Sequence, residues 1–310
     1  MKIVRLISCL FLLHINAQEV ISEEIAMSNG EIMLPGTLSY PEASDPVPLV
    51  VFIQGSGNVD RNGNQAGTVV QANYIKTLRD SLNSKGIGFY SYDKRTAVRD
   101  NISKLKNIVF EDLVADASLA INQFITDERF GSVHVIGHSQ GSLVGMMSLS
   151  PKVKSFISLA GPGVSIDRKI VEQISNQSAQ LGDLAAKHFQ ELQETDTIVT
   201  INPMLVQIFA PQNHRFLKAY AALDPAEEIK KVSIPTLIIN GEADIQVSPD
   251  DARLLHEALP GSQLEIIPRL NHVLKEVNSR LENQQAYMQP DIPLSLPLLQ
   301  SISSFILDNH

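Results

Sequence analysis

Short apolar runs that do not alternate with polar residues recur along the chain, and they constrain the fold more than any other feature. Leu49-Val50-Val51-Phe52-Ile53, Ile87-Gly88-Phe89-Tyr90, Val133-His134-Val135-Ile136, Phe156-Ile157-Ser158-Leu159 and Thr236-Leu237-Ile238-Ile239 have the pattern of strands buried on both faces. Segments of helical spacing separate them. Leu113, Val114, Ala117, Ala120, Ile121 and Phe124 share one face, with Glu111 and Asp112 in the favourable first turn. Ser248-Pro249-Asp250-Asp251 reads as an N-cap, a proline at the first helical position and a capping-box acid, and Leu298 to Ile306 supplies a last helix. Strand and helix repeated in this way predict an α/β fold, a mostly parallel sheet with helices on both faces.

One stretch interrupts the alternation. From about residue 163 to 232 no strand pattern occurs, whereas Ile170, Val171, Ile174, Leu181, Leu184, Ala185 and Leu192 make one helix face and Met204, Leu205, Ile208 and Phe209 make another. A single crossover needs little more than about a dozen residues, so this segment is expected to be a helical cap inserted over one end of the sheet. Met204, Leu205, Ile208 and Phe209 are its candidate lining for an apolar substrate pocket.

The N-terminus reads as an export signal over residues 1–17. Lys2 and Arg5 precede the apolar run Leu6 to Leu13, and Ile15-Asn16-Ala17 puts a small residue before a cleavage point. That run is far shorter than the roughly 20 residues of a membrane span. The expectation is a periplasmic or secreted protein without stable membrane insertion, with an α/β domain over residues 18–310. Leu6-Ile7-Ser8-Cys9 resembles a lipobox, but the apolar run continues past Cys9, which disfavours lipid attachment. Cys9 is the one cysteine, too few for a disulfide or a cysteine-based zinc site. A formal net charge of −9 argues against nucleic acid, whose binding depends on Lys and Arg neutralising phosphates. No metal motif is present either, since His256-Glu257 lacks the second histidine of H-E-x-x-H.

Gly137-His138-Ser139-Gln140-Gly141 follows one strand and precedes a helix, the strand-turn-helix context of a G-x-S-x-G nucleophile elbow. The glycines matter because a serine on so sharp a turn leaves no room for neighbouring side chains. A hydroxyl is a poor nucleophile at neutral pH, so a base must take its proton and an acid must orient the base. Among the other seven histidines, His14 lies in the signal, His134 in a strand, His256 on a helix, His310 at the terminus, and His188 and His214 in the cap. His272, in a loop beyond a strand, is the candidate base. Asp244 follows the strand Thr236 to Ile239 and its Asn240-Gly241-Glu242-Ala243 turn, and is preferred to Glu242 as the acid. Ser139, Asp244 and His272 then stand in the chain order of this hydrolase architecture. An oxyanion needs two donors: the backbone N–H of Gln140, and one from Gln54-Gly55-Ser56-Gly57, with Ser56 first and Gly57 next.

The chain resembles the α/β-hydrolases, and among them the bacterial serine esterases related to the dienelactone-hydrolase and prolyl-oligopeptidase-like branch. The resemblance rests on residues 55–63 (GSGNVDRNG), 92–95 (YDKR), 137–141 (GHSQG), 241–247 (GEADIQV) and 271–275 (NHVLK), and runs from about Gly30 to the C-terminus. It implies hydrolysis of small carboxylic esters through an acyl-enzyme, with no metal or organic cofactor. Two positions depart from the pattern: Gln54-Gly55 stands where many relatives have His-Gly, and Asn58 stands in place of a proline. Peptidase or acyltransferase action on the same triad is the alternative, and a non-catalytic binding protein is the reading from another class. Asp60, Arg61, Asp93 and Arg95 are of a type that more often locks loops together than binds substrate. The expected partner is a small ester substrate; no residue pattern names a protein partner.

Overall fold

The computed structural model of the chain describes residues 19–310, so the segment read as an export signal, with Cys9, lies outside the described residues. Eight strands form one sheet: β1 (Val20–Asn29), β2 (Ile32–Pro41), β3 (Val47–Ile53), β4 (Gly88–Tyr92), β5 (Phe130–His138), β6 (Ser155–Leu159), β7 (Thr236–Gly241) and β8 (Gln263–Ile267). Their order is β1-β2-β4-β3-β5-β6-β7-β8. The hairpin β1–β2 is antiparallel and joins β4 antiparallel, and every other pairing is parallel. β3 to β7 are buried along their whole lengths except at Gly131 near the start of β5, as continuous apolar runs require. β1, on the edge, instead alternates exposed residues with half-buried ones and the buried Met27.

Helices α1 (Tyr74–Asn83), α2 (Phe110–Phe124) and α3 (Gln140–Ser148) follow β3, β4 and β5 in turn. The segment between β6 and β7 contains α4 (Ile166–Ser175), α5 (Ala179–Thr195), α6 (Val206–Phe209), α7 (His214–Ala221) and α8 (Pro225–Ile229) and no strand, while α9 (Pro249–Ala258), α10 (Arg280–Ala286) and α11 (Leu296–Asp308) complete the chain. The two faces of the sheet feed separate cores, because successive side chains point opposite ways. Leu49, Val51 and Ile53 pack with Phe110, Leu113 and Phe124 of α2, Leu143 of α3 and Leu255 of α9. Val50, Phe52 and Ile136 pack with Ile75 and Leu78 of α1 and Ile302 and Phe305 of α11. A third cluster, Ala185, Phe189, Leu192, Leu205, Phe209 and Leu217, lies wholly within α4–α8 and the turns between them. The inserted helices thus have a core of their own. Lys169 of α4 fastens them to α9 through Asp251 at 2.6 Å, and the other Asp251 oxygen accepts the Gly163 N–H at 2.9 Å.

This topology fixes where chemistry can be placed. The chain passes from β3 to β4 on one side and then returns to β5 on the other, so a crevice opens beyond the carboxyl ends of β3 and β5. Ile53 pairs with Gly137 there. The next residues on either side are the Gly55-Ser56 turn and the Ser139 turn.

Candidate active site

Ser139 occupies the sharp turn between β5 and α3 with φ 55° and ψ −124°. A positive φ on a residue with a side chain is a strained backbone that its surroundings must enforce. Here they do so by contact. A Cβ on Gly137 would lie 2.3 Å from the Gly141 carbonyl oxygen, and one on Gly141 would lie 2.1 Å from that of Ile53. Only glycine at both positions lets α3 rest directly on β5 and β3. The Ser139 N–H donates to the Leu159 carbonyl at 2.9 Å, which ties the turn to β6.

Asp244 and His272 meet as an acid and base pair. Asp244 Oδ2 accepts from His272 Nδ1 at 2.7 Å, and Asp244 Oδ1 accepts the backbone N–H groups of Gln246 and Val247 at 2.8 and 3.0 Å. Three donors aim the carboxylate, and both side chains are buried. With Nδ1–H committed to the carboxylate, Nε2 of the neutral imidazole is left as an acceptor. Glu242, the other acid of this turn, is exposed to solvent.

His138 joins this pair to the elbow. Its Nε2 lies 2.9 Å from the His272 carbonyl oxygen, and its Nδ1 lies 3.3 Å from the Tyr74 hydroxyl. A carbonyl only accepts, so His138 carries its proton on Nε2 and receives the Tyr74 O–H at Nδ1. Burial, reinforced by the neighbouring His272, pushes its pKa down to about 3, which keeps the ring neutral. Both ring nitrogens are therefore occupied. The residue before the serine thus holds the backbone of the candidate base, and the two rings lie 4.8 Å apart. His134 is likewise unavailable, enclosed in the sheet between Ser132 and Ser155 at 2.8 and 2.7 Å.

The Gly55-Ser56 turn abuts the elbow, since a Cβ on Gly55 would lie 3.1 Å from the Ser139 Cβ. The Ser56 N–H has no acceptor among the described residues. Gln140 is the first residue of α3, so its N–H has no intrahelical acceptor either. Ser56 and Gln140 both line a cavity of about 640 Å³ between the crevice and the inserted helices, where Ile108, Ile170, Ile208 and Phe216 give an apolar wall and Lys94 and Tyr220 a polar one.

The four residues expected to line an apolar pocket fall in different places. Of Met204, Leu205, Ile208 and Phe209, only Ile208 borders it. Leu205 and Phe209 are buried in the core of the inserted helices, and Met204 is 75% exposed. The spacing identifies a buried face but not the element that buries it. Asp60, Arg61, Asp93 and Arg95 are each engaged in hydrogen bonds within the protein. Asp60 accepts the N–H groups of Asn62 and Asn64, Arg61 grips Asp93 with two 3.0 Å bonds, and Arg95 binds Asp116 of α2 at 2.6 and 2.7 Å. The sequence reading missed Lys94 and the Tyr74–His138–His272 chain. Lys94 belongs to the 92–95 motif, and its burial is a signal that only tertiary structure supplies. Among the described residues, no three His, Cys, Asp or Glu side chains are grouped so as to hold a metal ion.

Comparison with known proteins agrees with this architecture. Esterase EstD of Thermotoga maritima is 27% identical over 246 residues, which are 78% of this chain and 58% of EstD; the chain therefore spans a little over half the length of that relative. Est1E from Butyrivibrio proteoclasticus shares the fold at a TM-score of 0.57 with 14% identity, over 92% of this chain and 98% of that one. An acylaminoacyl peptidase of Pyrococcus horikoshii does so at 0.59 with 15% identity, over 95% of this chain and 42% of the peptidase. A family model described as serine aminopeptidase, S33, matches residues 66–276, a span that contains Ser139, Asp244 and His272. With its mostly parallel sheet, its serine on a β5–α3 elbow and that match over two thirds of its length, the chain belongs to the serine aminopeptidase S33 family of α/β-hydrolases.

Proposed function

We propose that the protein is a serine carboxylesterase acting on small carboxylic esters. The observation that carries this reading is the buried Asp244–His272 pair held against the elbow of Ser139 by the His138 hydrogen bond. His272, oriented by Asp244, takes the Ser139 proton as Oγ attacks the ester carbonyl. The N–H groups of Gln140 and Ser56 receive the charge that develops on the carbonyl oxygen. The C–O bond then breaks, His272 returns the proton to the departing alcohol, and an acyl-enzyme remains. Water activated by His272 hydrolyses it and restores Ser139. The apolar wall of the adjoining cavity suits an acyl or alcohol group of modest size. EstD is named as an esterase, which favours ester over amide.

The test is p-nitrophenyl acetate hydrolysis by the wild type and Ser139→Ala. Turnover abolished in a folded variant supports the proposal, and wild-type turnover by Ser139→Ala contradicts it. Peptidase action is the second reading, favoured by the description of the family and by the fold shared with acylaminoacyl peptidase. Aminoacyl p-nitroanilides assayed beside esters of increasing acyl length separate the two. We also propose that residues 1–17 are an export signal; exported protein with its N-terminus at Gln18 supports this, and protein retained in the cytoplasm with Met1 intact contradicts it.

A further inference from the structure

Lys94 is a lysine almost without exposure just past the end of β4, and no carboxylate lies within contact of it. Its Nζ donates to two carbonyl oxygens, Gly55 O at 2.7 Å and Gln140 Oε1 at 2.5 Å. Those acceptors belong to the two segments, Gly55-Ser56 and the start of α3, whose residues Ser56 and Gln140 line the cavity. Resting on the esterase reading above, we propose that Lys94 is a positioning residue for the oxyanion pocket, holding the Gly55–Ser56 peptide and the Gln140 side chain so that the Ser56 and Gln140 N–H groups converge.

The geometric argument lies in the peptide plane. A trans peptide is flat, and its N–H points opposite to its C=O. The oxygen that Lys94 holds and the Ser56 N–H belong to the same peptide unit, so fixing one direction fixes the other. At the second segment, Lys94 grips the side chain of the residue whose own N–H opens α3, immediately after Ser139. One amine therefore spans from the end of β3 to the start of α3, the two elements that must keep register for both donors to meet a single oxygen. Its environment matches this role. Burial pushes the Lys94 pKa down to about 7, opposed by Asp116. A neutral amine still has two N–H groups, so both bonds survive deprotonation. An ammonium intended for a surface ion pair would not be placed here, because removing it from water is costly without a paired anion.

Lys94→Met preserves volume and removes both donors. Its kcat on p-nitrophenyl acetate is expected to fall roughly 10- to 100-fold, with KM within about threefold of wild type. The discriminating readout is a benzyl trifluoromethyl ketone, whose carbonyl adds the serine hydroxyl and presents an oxyanion. Its inhibition constant should rise by the same factor as kcat/KM falls, while inhibition by the ground-state analogue benzyl methyl ketone stays unchanged. A merely structural lysine would lower the unfolding midpoint and affect both ketones equally, and that result overturns the proposal. Wild-type kcat in folded Lys94→Met also overturns it. Should Lys94→Met fail to fold, Gln140→Met decides: it keeps the backbone donor, loses one Lys94 acceptor and should show the same selective weakening of the trifluoromethyl ketone; equal affinity for that ketone counts against the proposal. Ser139→Ala run alongside separates the two claims. If it retains activity, the esterase reading is what fails; if it is inactive while Lys94→Met matches wild type, only the role of Lys94 fails.

Discussion

Gly141→Ala is the substitution whose consequence the structure specifies most closely. The added methyl group would sit 2.1 Å from the Ile53 carbonyl oxygen and 2.7 Å from that of Gln54, whereas ordinary contact begins at 3.4 Å. Both obstacles are backbone, so no rotamer relieves them, and α3 must draw back from β3 by about 1 Å. Ser139 and the Gln140 N–H move with α3, while the Ser56 N–H stays with the end of β3. A displacement of about 1 Å in a reacting group can cost about 10²-fold in rate, so kcat for p-nitrophenyl acetate is expected to fall roughly 100-fold with a much smaller change in KM. Overpacking adds about 1–3 kcal/mol of destabilisation, which at about 2–4 °C per kcal/mol lowers the melting temperature by several degrees. Steady-state kinetics and thermal unfolding on the same preparation read both effects. Gly261→Ala serves as the control, because its Cβ would meet nothing within 4 Å. A folded Gly141→Ala with wild-type kcat would refute the claim that direct contact of α3 with β3 sets the geometry of the serine.

Three other perturbations test separate parts of the account. Asp244→Asn replaces the acceptor of the His272 Nδ1–H with an amide, which permits the wrong tautomer; kcat should drop by roughly 10³–10⁴-fold with little change in melting temperature, and activity within tenfold of wild type contradicts the assignment. Asp116→Ala leaves Arg95 buried without its main carboxylate; denaturant unfolding should show a loss of about 3 kcal/mol while kcat per folded molecule stays within about threefold. Lys94 supplies a pH test. Its folded pKa lies near 7, below the ordinary lysine range, so the unfolded chain binds the extra proton between about pH 7 and 10.5 and the wild type gains stability relative to Lys94→Met as pH rises through that window. The relative gain is of order 4 kcal/mol and absent below pH 7, and urea unfolding of both proteins at pH 6.5, 8 and 10 measures it; a difference that does not vary with pH contradicts the buried state of the amine.

The parallel strands were legible because burial on both faces leaves no polar alternation. Leu49–Ile53 and Thr236–Ile239 were read from this alone, and each lies within a strand of the structure. Asp251 announced α9 through local chemistry, and the Ser248 N–H does bond its carboxylate at 3.0 Å. Ser139 was legible because the elbow is a five-residue feature. Asp244 and His272 were reached through chain order, and the structure pairs them across 28 residues. What the sequence concealed depends on packing between distant segments. Ile208 and Phe209 are adjacent and both apolar, yet one borders the crevice cavity and the other is fully buried with Phe189. Lys94 is legible only as one residue of the 92–95 motif, because its partners Gly55 and Gln140 are distant in the chain. The sequence assigns His138 no role, and its bond to the His272 carbonyl exists because β5 and the loop after β8 end at the same edge of the sheet.

The central claim is that Ser139 is the nucleophile of an esterase, and the most direct measurement is the site of covalent capture. Folded wild-type protein treated with a fluorophosphonate should acquire one adduct per chain, mapped by peptide mass spectrometry to Ser139, with loss of p-nitrophenyl acetate turnover in step with labelling. Turnover that persists in fully labelled protein, or an active enzyme whose Ser139 remains unmodified, would contradict the account.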